Sequence, residues 1–243
     1  MGVWVLDHVV LVVDDLDRAV ARFQSLGFTT TPGGVNGPTH NALIAFSDGT
    51  YVELIALRSR WARRLLRLMN ALGGLAIRRA LRADLDNRLL GWLGGPVGLR
   101  DLCFRVADLS SFRRRCSEEG TPLTPVVGFR RDRPDGVGVH WLLAGAMDLS
   151  QPFFIEDVTP IRDRIPEGPS REHANGASGI VGVATRKAIA GECDDVELTT
   201  LPGLRAGQIA LTLSTRAPDP PDLPASACCG ALIRFRGGPD LAP

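Results

Sequence analysis

The sequence predicts an α+β protein built on a strand–helix–three-strand module given twice, with a helical insert between the copies and a strand-rich segment after them. The first observation behind this is an internal repeat. LDHVVLVVDDL (residues 6–16) aligns without gaps on LRDLCFRVADL (residues 99–109), and a glycine follows eleven positions later in each copy, Gly27 and Gly120. The second is that apolar spacing changes period after each copy, from an alternating strand to a helical face. The third is that each helical stretch is followed by three short strand-like runs.

Taken in order, VVLVV at residues 9–13 reads as a buried strand, stopped by Asp14 and Asp15. Either aspartate can cap the helix that follows, as Asp108 can in the second copy. Leu16, Ala19, Val20, Phe23 and Leu26 then make one apolar helical face. The second helix has a thinner face of Leu109, Phe112 and Cys116. Gly27 and Gly120 suit the left-handed residue that ends a helix. Strand runs are expected at residues 29–31, 42–46 and 51–57, and again at 123–127, 138–143 and 152–157. The expected divisions are a first module at 1–57, a helical insert at 58–98, a second module at 99–165 and a C-terminal segment at 166–243. Short strands with no helix between them make that last segment a candidate for an eroded third module.

In the insert, Trp61, Leu65, Leu68, Met69 and Leu72 fall at helical spacing, and nine arginines stand against two aspartates between Arg58 and Arg88. A basic amphipathic helix can lie on a membrane or an acidic partner. The reading preferred here is that the apolar stripe packs over the module and the arginines are solvated.

Composition narrows the class. With 44% hydrophobic and 23% charged residues and a net charge of +1, the chain is ordinary for a globular protein, and nothing global points to nucleic acid. No apolar run reaches the length of a bilayer span. Five cysteines without C-x-x-C spacing support neither a disulfide framework nor a zinc knuckle, and adjacent Cys228 and Cys229 read as buried small residues. A cytoplasmic protein is expected.

Candidate site residues follow from alternation along the strands. Leu102, Phe104 and Val106 share an apolar face that belongs under the helix, so Asp101, Cys103 and Arg105 look into the concave side of the sheet. Transferred through the repeat, His8 looks the same way, leaving Asp7 on the other face. Matching Tyr51-Val52-Glu53-Leu54 with Phe154-Ile155-Glu156-Asp157 turns Glu53 and Glu156 inward, with Tyr51 and Phe154 as cavity walls. Four inward polar groups look like a divalent-metal site, because a carboxylate in an apolar strand needs a partner. Pairing of the carboxylates with Arg105 is the competing arrangement. Asn41 and His140 stand near the third strands, and His173 reads as a turn residue.

LDHVVLVVDDLDRAVARFQSLGF, the pair THNALIAF and GTYVELIAL, QPFFIEDVTP and HANGA together resemble the glyoxalase-like branch of the vicinal-oxygen-chelate superfamily. The resemblance covers residues 6–57 and 99–160, and the segment after His173 more faintly. It implies paired βαβββ modules forming a cup-shaped mixed sheet, with helices outside. It also implies a divalent ion (Mn, Zn, Mg or Fe) on His8, Glu53, Asp101 and Glu156, with Glu53 and Glu156 catalytic. Arg105, Tyr51, Phe154 and Asn41 would bind the substrate. Asp101 stands where metal-binding members more often have histidine, which lowers a ring-cleaving dioxygenase. The expectation is a metal-dependent lyase or isomerase acting on a small molecule with vicinal oxygens, as a monomer or homodimer, with no nucleic-acid or membrane partner. The alternative is a metal-free binding protein of the bleomycin-resistance type. The two differ in whether the inward groups converge or are held by arginines.

Overall fold

Each copy of the repeat folds as strand, helix and three strands in the computed structural model, which describes residues 4–237 apart from 83, 134–135, 192, 206, 219 and 222. The first three residues of the first module and the last six of the C-terminal segment lie outside the described residues. The first copy comprises β1 (Val5–Val12), α1 (Leu16–Ser25), β2 (Thr31–Asn36), β3 (Thr39–Ala45) and β4 (Tyr51–Leu57). The insert forms α2 (Arg60–Ala71), α3 (Gly74–Leu81) and α4 (Asp86–Leu93). The second copy comprises β5 (Gly98–Arg105), α5 (Leu109–Glu118), β6 (Val127–Asp132), β7 (Gly138–Gly145) and β8 (Phe153–Asp157). Asp15 caps α1 by accepting the Arg18 N–H at 3.1 Å, and Asp108 caps α5 by accepting that of Ser111 at 2.9 Å.

The eight strands make one sheet in the order β2-β3-β4-β1-β5-β8-β7-β6. Within each module the first and last strands are parallel, and β1 meets β5 antiparallel across the centre. The sheet curls until its edges meet. Arg131 on β6 donates to the Gly33 carbonyl on β2, the opposite edge strand. Gly33 and Gly34 permit this closure, because a Cβ at Gly33 would strike Asn41 and one at Gly34 would strike Arg131. Gly34 is thus what lets Arg131 approach β2. β2 and β6 both lie a few residues later than the alternation suggests.

After a short helix α6 (Ile161–Arg164) come β9 (Ala177–Thr185), β10 (Glu197–Thr200), β11 (Ile209–Thr215) and β12 (Leu232–Gly237), in a second sheet of order β10-β9-β11-β12. Its two parallel pairs joined by an antiparallel one repeat the β4-β1-β5-β8 pattern at the centre of the cup. The C-terminal segment therefore resembles the middle of a module pair rather than one eroded module. This sheet, α1 and α5 pack on the convex face of the large sheet, where Leu6, Val9, Leu11, Val52, Leu54, Phe104, Phe112 and Phe154 share one core with Ile180, Leu211 and Leu213.

The insert does not pack as its stripe suggests. Leu66, Leu89, Trp92 and Leu93 close over Val10, Val12, Ile55, Cys103 and Ile155 on the concave face. Trp61, Leu65, Leu68, Met69 and Leu72 are exposed instead, while Arg63 and Arg88 are buried. Arg63 is fixed to Asp14 (Nε–Oδ1 2.5 Å) and to the Leu93 carbonyl (2.7 Å). α2 is held by the buried Arg63, which pairs with the exposed Asp14 and the Leu93 carbonyl, rather than by its apolar stripe.

Candidate functional site

A cavity of about 200 Å³ opens on the concave face. His8 and Glu53 stand among aromatic walls supplied by Tyr51, Trp92, Phe129, Trp141 and Phe153, and the polar lining includes His40, Asn41, Asp86, Arg130, Arg131 and Arg164. His8 pairs with Tyr51 and Val10 with Glu53 in the parallel β1–β4 register, which places His8, Tyr51 and Glu53 on one surface. The His8 and Tyr51 rings stack at 4.5 Å, and Phe153 meets His8 edge-on at 5.4 Å. Asn41 donates an amide N–H to Glu53 Oε1, and Glu53 Oε2 lies 3.6 Å from His8 Nε2.

Beneath His8 lies a carboxylate that alternation assigns to the wrong face. Leu6 pairs with Phe104 and His8 with Cys103, so Asp7 is the extra residue of a β-bulge. The bulge lets Leu6 and Val9 both face the convex core while Asp7 turns toward the cavity side with His8. Asp7 is fully buried and accepts from His8 Nδ1 at 2.7 Å. Arg164 grips it with Nη1–Oδ1 at 3.0 Å and Nη2–Oδ2 at 2.7 Å. The same guanidinium holds Asp157 (Nε–Oδ1 2.6 Å, Nη2–Oδ2 2.9 Å) and donates to the Tyr51 hydroxyl at 2.7 Å. Burial opposes ionisation of Asp7, but the Arg164 charge and the His8 hydrogen bond outweigh it and hold the carboxyl well below the usual carboxylate range. Burial, followed by the Asp7 charge, pushes the neighbouring Cys103 thiol well up, so it stays protonated. Because Asp7 is an ionised acceptor, His8 carries a proton on Nδ1 and turns Nε2 toward Glu53.

The expected four metal donors do not come together. Asp101 is closed off by the insert: Arg88 Nη1 lies 2.5 Å and Trp92 Nε1 2.8 Å from its Oδ2, and the Leu102 N–H occupies its Oδ1 at 2.8 Å. Glu156 is on the convex side, where Oε2 accepts the Leu109 N–H at 2.7 Å in the first turn of α5. The reason is register. Cys103 pairs with Phe153, and Val10, its counterpart through the repeat, pairs with Glu53. Phe153 is thus the partner of Glu53, and every side chain of β8 lies on the face opposite to the one expected.

Phe154 accordingly leaves the list of cavity walls. It packs in the convex core, 5.0 Å from Trp4 and 4.6 Å from Phe112 between ring centroids. Arg105 does not line the cavity either; its Nη1 lies 3.9 Å from Asp7. The guanidinium groups at the cavity are Arg130, Arg131 and Arg164, and the Arg131 Nε is buried with no hydrogen-bond partner. Of the expected residues the cavity unites His8, Glu53, Tyr51 and Asn41. His173 bonds backbone at Thr29 and Ala45, away from the cavity.

Asp7, Phe153, Asp157, Arg131 and Arg164 escape a reading by alternation. A bulge and a one-residue register error hide the first three. The two arginines have no local pattern, although a buried carboxylate at Asp7 would have called for a cation.

One cluster retains metal-ligand chemistry. Donor atoms of Asp7, His8 and Cys103 lie within 4.8 Å of one another. Both Asp7 oxygens of this set already meet Arg164, so a divalent ion would have to displace that guanidinium. The cation of this cluster is the Arg164 guanidinium.

Fold and site together define a protein of paired βαβββ modules with a cavity on the concave face of the sheet. Residues 6–194 match the model of the glyoxalase-like domain. The chain belongs to that family. Among solved structures, a hypothetical protein from Staphylococcus aureus superposes with a TM-score of 0.69 at 15% identity, covering 97% of this chain and 100% of its own. A methylmalonyl-CoA epimerase from Mycobacterium tuberculosis gives a TM-score of 0.39 at 19% identity over 63% of this chain and 88% of its own. A homoprotocatechuate 2,3-dioxygenase from B. fuscum gives 0.44 at 10% identity, over 89% of this chain and 58% of its own. No curated protein matches the sequence.

Proposed function

We propose that the cavity binds a small, flat molecule carrying a carboxylate or carbonyl oxygen, without a divalent metal, and that His8 and Glu53 exchange a proton with it. The observation that carries this reading is the Asp7–Arg164–Asp157 network. It spends the buried carboxylates Asp7 and Asp157 on an internal cation and leaves His8 and Glu53 side by side on the cavity wall. Asp7 orients His8 from behind, while Asn41 orients Glu53. The aromatic walls suit a planar ligand, and the free Nε of Arg131 supplies a donor for its oxygen. Proton transfer between adjacent carbons or oxygens, an isomerase-type reaction, is the chemistry two such groups can perform. A ligand atom between Nε2 and Oε2 would be within reach of both.

The test is calorimetric titration of aromatic carboxylates and 2-oxo acids into protein held in excess chelator. Saturable binding that falls roughly tenfold or more in Glu53→Gln, the loss expected when one polar contact is removed, supports the proposal. Binding that appears only on adding metal overturns it.

A further inference from the structure

The apolar stripe of α2 faces away from the protein. Successive helical residues are 100° apart, so Trp61, Leu65, Leu68 and Leu72 form a narrow stripe with Met69 at its border. Trp61 is 71% and Leu72 77% exposed. The opposite side of the helix is bolted down by polar groups: Arg63 to Asp14 and Leu93, and Asn70 Nδ2 to the Gly94 carbonyl at 3.1 Å. The exposure is therefore fixed by the fold, and α2 cannot roll its stripe inward without unpairing the buried Arg63. α3 continues the surface, with Leu75 buried beneath it and Ile77 and Leu81 outside.

The charges around the stripe have one sign. Arg58, Arg64, Arg79 and Arg82 make no ion pair among the described residues, while both insert aspartates are engaged by Arg78, Asp84 at 2.9 Å and Asp86 at 3.6 Å. A long apolar stripe of about 18 Å, ending in a tryptophan and bordered by unpaired guanidinium groups, matches a bilayer surface with anionic headgroups. A second copy of this face would bring the same unpaired arginines together.

We propose that the α2–α3 hairpin docks this protein on an anionic lipid surface, with α2 in the plane of the interface and its arginines against the headgroups. The docking is peripheral, since among the described residues no helix is long and apolar enough to cross a membrane.

The untagged full chain is to be sedimented with vesicles of phosphatidylcholine alone and of equal parts phosphatidylcholine and phosphatidylglycerol. Tryptophan emission is followed in the same samples. The proposal expects partitioning onto the anionic vesicles with a blue shift, weakening as salt is added. Leu68→Asp with Leu72→Asp should reduce partitioning roughly tenfold or more while leaving the thermal midpoint unchanged, because both side chains are exposed. Trp61→Phe should remove most of the blue shift. Absence of partitioning overturns the proposal, as does partitioning equal in the double variant or equal on neutral vesicles. A concentration-dependent dimer that the double variant dissolves, without vesicle binding, also overturns it and assigns the face to a second copy.

Discussion

Replacing Arg164 by methionine removes five donated hydrogen bonds at once and leaves Asp7, at 0% exposure, as a buried carboxylate without a hydrogen-bonded cation, the nearest remaining guanidinium being Arg105 at 3.9 Å. Breaking a buried pair from one side costs about 3–5 kcal/mol, because the remaining charge loses its compensation while staying out of water. Asp157 is less enclosed and can be hydrated, so most of the cost falls on Asp7. For a chain of this length that corresponds to a loss of roughly 6–20 °C in the thermal midpoint. Urea denaturation followed by circular dichroism measures it.

The same logic fixes two controls. Adding Asp7→Asn to the methionine variant removes the stranded charge and should recover part of the loss, which a simple packing defect would not. The pH dependence has a definite sign as well. In the wild-type protein the depressed Asp7 carboxyl contributes stability that is present above its unfolded value and is lost as pH falls through its lower folded value. In the variant, burial without a cation favours the protonated acid, so the variant gains relative stability on acidification. The gap between the two proteins should therefore narrow as pH falls toward 4. A loss below about 1 kcal/mol, the scale of an exposed ion pair, or a gap independent of pH, would refute the reasoning.

Two further outcomes separate structural groups from the site. Glu156→Ala removes the acceptor for the Leu109 N–H and should cost roughly 0.5–2 kcal/mol of stability, as loss of a helix cap does, with ligand affinity in the cavity unchanged. His173 is held neutral by burial, which lowers its pKa, and its Nδ1 accepts the Thr29 N–H at 2.9 Å. Its contribution should be full above the unfolded histidine value and decline as pH falls through it, so denaturation midpoints at pH 7 and pH 5 should differ less in His173→Gln than in the wild-type protein.

Much of the fold was legible because a repeat constrains it twice. One copy supplies the helix face that is thin in the other, and Asp15 and Asp108 cap both helices as their positions suggest. The site was half legible. His8, Tyr51 and Glu53 follow from the β1–β4 pair, whose alternation is regular from His8 onward, whereas Asn41 on β3 came only through the family resemblance. The second half failed where backbone register departs from sequence matching. The string Phe153-Phe154-Ile155-Glu156-Asp157 offers an acid and an aromatic on each face, and only the pairing of Cys103 with Phe153 decides between them. Asp7 was hidden by a bulge that no local residue marks. Asp101 was correctly turned inward, but its partner Arg88 comes from the insert, whose docking is governed by long-range ion pairs rather than by its apolar spacing.

The central claim is that Arg164, not a divalent ion, neutralises Asp7 and Asp157 behind this cavity. Calorimetric titration of Mn²⁺ and of Zn²⁺ into chelator-stripped protein, beside the ligand titration, tests it most directly. The account predicts no stoichiometric uptake and ligand affinity unchanged by either metal. One equivalent of metal taken up tightly, and lost in Glu53→Gln, would contradict it.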